Sequence, residues 1–255
     1  MIVRGLCFQK FMSNLSDIGF PTRSEQDIND MIAHCLELTE TIRCPQGFYL
    51  KFADASGAEI WLQGNEEQEL IGFNPHFAGK SRRRVRLTQA IERESSALDG
   101  GFHALINQSE NSGETGDYPF VFDAPDFRLC EVLQFSHICE IQLTAFASND
   151  FVIDADKHES EIPAKSFVAN GLFAADGEDE TVELSGVRPI AKITGEIKEF
   201  ELKINQLSGN EFYSFLIDTF GGEIDVVADV KLIADEPKIG GIVSGHFWLS
   251  GRVIQ

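Results

Sequence analysis

The sequence lacks the short motifs by which many enzymes are identified. It contains no GxSxG, HExxH or P-loop pattern, and its five cysteines form no CxxC pair. An odd number of cysteines cannot all be paired in disulfides within the chain, so we expect free thiols. No His, Cys or carboxylate spacing converges on one ion. These absences favour a non-enzymatic binding or scaffold protein with no metal and no cofactor.

Long apolar runs are also missing. No stretch approaches the roughly 18 to 20 apolar residues of a membrane-spanning helix, and Met1 to Asn14 has no apolar segment long enough for a signal peptide. A chain of 255 residues with 43% hydrophobic content can instead bury a substantial core. We therefore expect a globular protein without a membrane partner, located in the cytoplasm, with a flexible N-terminus at residues 1–15.

Positive charge is scarce, since 21 Lys and Arg stand against 41 Asp and Glu and give a net charge of −20. Such a surface repels polyanions, so general nucleic-acid binding is disfavoured. One basic run opposes this trend and consists of Lys80, Arg82, Arg83, Arg84 and Arg86. We interpret it as a solvated or edge strand whose arginines pair with carboxylates. Nucleic-acid binding through this run is kept as an alternative.

The strongest pattern is an alternation of apolar and polar residues over 186–255, which is typical of half-buried strands. It predicts five strands, at Ile190 to Ile204, Glu211 to Thr219, Glu223 to Val230, Ile242 to Leu249, and Arg252 to Ile254. Gly251 is expected to separate the last two. Five strands, the first long and bent near Gly195, suit a small closed barrel. The stretch resembles the oligonucleotide/oligosaccharide-binding (OB) fold, which implies a five-stranded barrel domain.

The N-terminal part predicts one long helix, from Ser24 to Arg43, because Ser24 can cap it and apolar residues follow at helical spacing. An extended piece at Ser16 to Pro21 precedes the helix. Three strands follow it, at Gly47 to Ala53, Ala58 to Gln63, and Glu69 to Phe73.

This βαβββ order, with Asp54, Gly57 and the apolar strand Ile60-Trp61-Leu62, resembles one module of the glyoxalase-like (vicinal oxygen chelate) family. The resemblance implies a metal-dependent enzyme as an alternative function. The nearest residues of the ligand types that this family uses are His76, Glu59 and Glu69.

Alternating patterns predict further strands in the middle of the chain, at 82–93, 101–107, 118–123 and 138–147, with polar loops at 108–117 and 174–181. We place a domain boundary near Ser185. The predicted fold class is mainly β with one long N-terminal helix, an α+β class. An antiparallel α+β domain at 16–185 precedes the barrel domain at 186–255.

A candidate recognition patch follows from the two-residue period of the predicted barrel. Ser244, His246 and Trp248 share one face of the fourth strand, and Asp225 and Asp229 share one face of the third. If the two faces coincide, a histidine beside a carboxylate and an exposed tryptophan would form a binding surface, reached where Gly245 and Gly251 leave the backbone open. The alternative is that Trp248 covers an end of the core.

These observations favour a binding or scaffold protein that uses the face of the C-terminal barrel. Its partner would be a protein or a small molecule, and a homo-oligomer is compatible with the sequence. The metal-dependent enzyme and the nucleic-acid-binding protein remain the two alternatives.

Overall fold

The computed structural model of the protein describes residues 12–21, 24–93, 96–106, 118–130, 138–155, 165–169 and 187–254. The helices are α1 (Met12–Ser16) and α2 (Glu25–Glu37). The strands are β1 (Glu40–Cys44), β2 (Gly47–Ala53), β3 (Ala58–Gly64), β4 (Leu70–Phe77), β5 (Arg83–Glu92), β6 (Gly100–Ile106), β7 (Tyr118–Asp123), β8 (Ile138–Ala147), β9 (Val152–Asp154), β10 (Ser166–Ala169), β11 (Ile190–Ile204), β12 (Glu211–Thr219), β13 (Gly222–Asp229) and β14 (Ile242–Ile254). The protein is mainly β, as predicted. The predicted loops at 108–117 and 174–181 lie outside the described residues.

Helix α2 starts where the sequence predicts and ends earlier. The Ser24 side chain accepts a hydrogen bond from Asp27 N, which caps the helix. The helix stops at Glu37, and the N–H of Leu38 donates to Cys35 O in its last turn. The prediction of one long helix reaching Arg43 is therefore wrong. The β-branched Thr41 and Ile42 instead pair with β2, where such side chains pack well.

The predicted βαβββ unit is also corrected. The segment before α2 is not extended, because Met12–Ser16 forms α1 and Leu15 accepts a turn hydrogen bond from Phe20 N. Leu15 is fully buried, and most of the expected flexible N-terminus, residues 1–11, lies outside the described residues. Strands β1 to β4 form a four-stranded antiparallel meander. The observed order is therefore two helices followed by four strands, and not the predicted βαβββ.

The two faces of the small sheet are chemically different. One face is apolar and shares a core with the buried stripe of α2; this core includes Phe48, Leu50, Ile60 and Leu62. The other face presents Tyr49, Glu59, Trp61, Asn74 and His76, all of them buried. Since side chains alternate along a strand, the hydrophobic residues are drawn to α2 and the polar ones to the opposite side. There the Asn74 amide donates to Asp99 Oδ1, just before β6 of the second sheet, at 3.0 Å.

The second sheet has ten strands in the part of the chain that the structure describes, and it is built from two similar halves. The first half consists of the meander β5-β6-β7 and the long strand β8. The second half consists of the meander β11-β12-β13 and the long strand β14. Strand β8 pairs antiparallel with β5 of its own half and parallel with β13 of the other. Strand β14 repeats this arrangement with β11 and β7, and the two long strands pair with each other. The pairings therefore close two rings that share β8 and β14.

The barrel predicted from residues 186–255 alone needs correction. This region supplies four strands rather than five, because β14 continues without a break through Gly251. The ring that contains β11, β12, β13 and β14 is closed by β8, which precedes residue 185 in the chain. The ten-stranded sheet thus takes strands from both sides of the proposed domain boundary.

Phenylalanine fills much of the interior of this sheet. Phe102, Phe120, Phe122 and Phe127 cluster on one side, with ring centroids 5.3 to 5.8 Å apart, and Phe151, Phe215 and Phe247 pack together in the other half. Burial of aromatic rings removes a large apolar area from water and stabilises the fold. Among the residues that the structure describes, no helix has the length and apolar character needed to cross a membrane.

Candidate functional site

The predicted patch on β14 is only partly at the surface. His246 is half-exposed, and its Nδ1 lies 2.6 Å from Asp150 Oδ2. Ser244 is half-buried and pairs with Val152 of β9. Trp248 is only 9% exposed, its ring centroid lies 4.9 Å from that of Phe146, and its Nε1 donates to Asp123 Oδ2. The tryptophan is therefore placed as a core residue with a satisfied indole.

Asp225 and Asp229 do not join His246. The buried Asp225 carboxylate accepts hydrogen bonds from the backbone N–H groups of Lys80 and Ser81, at 3.0 and 2.8 Å, and from the Gln142 amide at 2.9 Å. Asp229 caps the 3₁₀ helix at Val230–Leu232. Both carboxylates are thus engaged in holding the chain, and the acid beside His246 is Asp150.

The two glycines that were expected to leave the backbone open are covered by the chain itself. A Cβ at Gly245 would lie 3.1 Å from Phe151 Cα, and one at Gly251 would lie 2.6 Å from the Phe122 ring. Close packing, and not access for a ligand, therefore explains glycine at these positions.

The basic run does not form one continuous exposed surface. Arg82 and Arg84 are exposed, Arg86 is half-buried, and Lys80 forms an ion pair with Glu199. The side chain of Arg83 is instead buried, donates from Nη2 to Glu223 O at 2.8 Å and lies over the Phe167 ring. Burial lowers the pKa of Arg83 to about 10. Since side chains alternate along a strand, Arg83 points inward between the exposed Arg82 and Arg84.

The three residues suggested as metal ligands are only partly brought together. Glu59 and His76 face each other across β3 and β4, and both are buried. Glu69 lies at the turn before β4, where its N–H donates to Asn65 Oδ1. Within the described ranges, no group of three or more His, Cys, Asp or Glu side chains is arranged to hold a metal ion.

The structure reveals a different site, a cleft of about 470 Å³ between the polar face of the small sheet and strands β8 and β14. This volume suits a small molecule. Its lining includes His76, Arg82, Asp126, Cys130, Gln142 and Arg252. The side chains come from five separate segments, so the cleft exists only in the folded protein.

His76 is fully buried in the lining of this cleft, and its Nδ1 lies 2.9 Å from Ser250 Oγ. Burial lowers the pKa of His76 to about 4, although the nearby Glu59 carboxylate acts to raise it. The imidazole is therefore uncharged near neutral pH. Burial alone would raise the pKa of Glu59, but His76, in its protonated form at acidic pH, and the Lys51 ammonium at 2.7 Å outweigh it and lower this pKa.

Arg252 is the main cation of the cleft. Its Nε donates to Asp126 Oδ2 at 2.8 Å, and its guanidinium lies over the Trp61 ring, 4.7 Å from the centroid. A second carboxylate, Glu59, is 3.9 Å from Nη1, beyond hydrogen-bond distance. Burial raises the pKa of Asp126, against the lowering effect of Arg252. The stacked guanidinium is held in place while its outer N–H groups stay available.

Two buried polar atoms in the lining of the cleft are unsatisfied. Neither His76 Nε2 nor Asp126 Oδ1 has a hydrogen-bond partner in the part of the chain that the structure describes. Gln142 lies near enough to His76 to act on its pKa, but no hydrogen bond to Nε2 is formed. Buried polar atoms without partners are rare in folded proteins and often mark a functional site. Both atoms have almost no accessible surface, so a ligand in the cleft reaches them only if the side chains around them shift.

A second cleft, of about 390 Å³, lies on the other side of Gly79 and is lined in part by β11 and β12. Both of its lysines are already paired, Lys80 with Glu199 and Lys203 with Glu201, and Asp225 accepts three hydrogen bonds. It therefore offers a ligand less unbalanced charge than the cleft at Arg252.

The sequence contained one signal for the Arg252 cleft. The polar face of Ser244, His246 and Trp248 continues, two residues at a time, to Ser250 and Arg252. The predicted break at Gly251 ended the strand too early for this continuation to be followed. Gln142 had a similar signal, since the alternation over 138–147 places it on a polar face with Glu140 and Thr144, but Asp126 had none.

Comparison of the chain with protein-family models, with curated protein sequences and with solved structures finds no match.

Proposed function

We propose that the protein is a non-enzymatic binding protein that holds a small carboxylate in the cleft at Arg252. The observation that carries this proposal is a guanidinium, that of Arg252, which Asp126 and the Trp61 ring hold in a cleft that Arg82 also lines. Arginine recognises carboxylates through paired N–H donors in a fixed plane. The expected cytoplasmic location stays a prediction.

The charges around the cleft support an anionic ligand. Among the described residues, Arg82 and Arg252 line it together with one carboxylate, Asp126, and Glu59 lies 3.9 Å from Arg252 Nη1. Arg82 Nη1 donates to the carbonyl oxygens of Gly79 and Ser81, which leave its charge unneutralised. The protein has a net charge of −20, so most of its surface repels small anions, whereas the arginines of this cleft attract them.

The unsatisfied atoms narrow the ligand class. Arg252 favours the ionised form of Asp126, which only accepts hydrogen bonds, so a ligand donor can pair with Oδ1 once a shift of the cleft wall uncovers it. A hydroxyl or amino group beside the carboxylate would supply one. The proposed ligands are therefore small hydroxy- or amino-carboxylates, with the carboxylate at the arginines and the donor at Asp126.

The position of Arg252 on β14 agrees with a binding site on the C-terminal half. We infer an OB-like barrel in which β8 takes the place of the predicted fifth strand, and the ring of pairings from β11 to β14 through β8 supports this inference.

The proposal is tested by thermal denaturation with malate, tartrate, citrate, aspartate and glutamate, using acetate as a carboxylate without the donor. At least one hydroxy- or amino-carboxylate should raise the melting temperature more than acetate does, because a ligand that binds only the folded state stabilises it. Arg82→Gln should weaken the effect. Arg84→Gln is the matched control, since Arg84 is also exposed but does not line the cleft. The proposal would be refuted if all compounds, acetate included, raised the melting temperature equally. It would also be refuted if Arg82→Gln and Arg84→Gln weakened the ligand effect equally.

A further inference from the structure

Strand β11 has an open edge along its second half. From Ile190 to Glu196 its residues pair with β14, and Ile197 exchanges backbone hydrogen bonds with Gly240 and Gly241. From Glu199 to Ile204 it pairs with β12 on its other edge. On the edge that faces β14 in the first half of the strand, no described residue pairs with residues 198–204. We call these seven residues the open edge.

The backbone of the open edge is oriented for pairing. Asn205 N donates to Asn210 O, which continues the ladder with β12. Since backbone groups alternate in direction along an antiparallel strand, Lys203 and Glu201 also point to β12. Phe200, Leu202 and Ile204 therefore direct their N–H and C=O groups outward, as a template for another strand.

The side chains along the open edge are unusual for an unpaired edge. Phe200, Leu202 and Ile204 are 36%, 44% and 50% exposed and alternate with the charged Glu201 and Lys203. Natural proteins usually protect exposed edges by shortness, bulges or inward charges, because apolar edges associate. The regular pairing with β12 from Glu199 onward shows no bulge in this half.

The open edge is complementary to a second copy of itself. If two copies pair antiparallel around a two-fold axis at Leu202, Phe200 of one faces Ile204 of the other and Leu202 faces Leu202. Glu201 then faces Lys203 twice, so the ion pair that the two residues form within one chain joins a network of four charges of alternating sign. Opposite charges across a strand pair are stabilising. With the axis at Lys203, Lys203 faces Lys203, and with the axis at Glu201, Glu201 faces Glu201 although Glu199 then faces Lys203. Only the axis at Leu202 gives every charged residue within 200–204 a partner of opposite charge.

We propose that the protein forms a symmetric homodimer through antiparallel pairing of the open edge, with the two-fold axis at Leu202. The contact is isologous and closes on itself, so it forms a dimer and not a filament. Lys198, Glu199, Glu201 and Lys203 sum to no net charge, so the pairing avoids the repulsion expected from a chain of net charge −20. The proposal is independent of the ligand in the cleft at Arg252.

Sedimentation equilibrium over a concentration series tests the proposal. The wild-type protein should dimerise, and Leu202→Glu should be monomeric because two carboxylates would meet at the axis. Val168→Glu, at another exposed apolar position, should dimerise like the wild type. A wild type that is monomeric throughout, or a Leu202→Glu variant that still dimerises, would overturn the proposal, and capture of an extended segment of another protein would then be the remaining use of the edge.

A charge exchange tests the register separately. Glu201→Lys and Lys203→Glu should each weaken the dimer about tenfold or more, because each places like charges opposite one another twice. The double variant restores opposite charges and should recover most of the wild-type affinity. Failure of the double variant to recover, with circular dichroism unchanged, would reject the axis at Leu202.

Discussion

His76 Nδ1 lies 2.9 Å from Ser250 Oγ, although the two residues are 174 positions apart in the chain. The contact joins the small sheet to the last strand of the large sheet beneath the Arg252 cleft. Ser250 is fully buried and also pairs with Asp123 and Thr144 in the sheet. The wall of the proposed binding site is thus part of the interface between the two sheets.

The buried His76 makes stability depend on pH. Its folded pKa, about 4, lies below the ordinary value of 6.5, so between these values the unfolded chain binds more protons. The contribution of His76 is therefore complete above about pH 6.5 and is lost as pH falls towards 4, by up to about 3 kcal/mol. Urea denaturation of wild type and His76→Asn at several pH values should show this difference.

The comparison with His76→Asn is needed because Asp17 and Asp126 have raised pKa values, both mainly from burial, and act in the opposite direction. The difference between the two proteins removes these carboxylates and reports His76 together with its effect on Glu59. A free-energy difference that stays constant from pH 7 to pH 4.5 would show that His76 takes up its proton equally in both states.

Trp248→Ala should cost about 3–5 kcal/mol, because a large buried ring leaves a cavity beside Phe146. Trp248→Phe should cost less, since it keeps most of the packing and loses the hydrogen bond to Asp123. Chemical denaturation measures both values. If Trp248→Ala left the free energy of unfolding nearly unchanged, Trp248 would be an exposed residue of the predicted recognition patch and not a core residue.

Asp225→Asn should destabilise the fold by about 1–3 kcal/mol, because a buried carboxylate that accepts three hydrogen bonds is replaced by an amide that carries donors. Gly79→Ala should have a similar effect, since its Cβ would lie 2.1 Å from Asp225 Cγ. Asp229→Asn is a control at a less buried carboxylate. If Asp225→Asn left the melting temperature unchanged, the carboxylate would not be holding the 79–81 segment.

Arg83→Met should be neutral or stabilising. The guanidinium is buried without a carboxylate, and its Nε and Nη1 have no hydrogen-bond partner among the described residues. An apolar side chain of similar length avoids the cost of burying the charge. A loss of more than about 2 kcal/mol in urea denaturation would contradict this expectation and show that the single bond to Glu223 O and the contact with Phe167 outweigh it.

The sequence predicted the strands of the C-terminal part well, because β11, β12 and β13 each have one buried face and therefore alternate clearly. It misplaced the end of α2, since Ile42 fits both helical spacing and a strand. It divided β14 at Gly251, where the reason for glycine is the neighbouring Phe122 ring. Such long-range packing leaves no local pattern.

The Arg252 cleft was largely beyond sequence reasoning for the same reason. His76, Asp126 and Arg252 belong to segments with no periodic relation to one another, and only the sheet topology brings them together. The edge of β11 is different, because the alternation of Phe200, Leu202 and Ile204 was visible in the sequence. What the sequence did not show is that no described strand covers it.

The proposed function is tested most directly by isothermal titration calorimetry of the wild type and Arg252→Lys with the carboxylate that stabilises the protein most. The account predicts saturable one-site binding to the wild type. Lysine keeps the charge but loses the planar pair of donors, so Arg252→Lys should bind about 10- to 100-fold more weakly, which corresponds to roughly 1.4–2.8 kcal/mol. Equal affinity of the two proteins, or no saturable binding of any hydroxy- or amino-carboxylate to the wild type, would contradict the account.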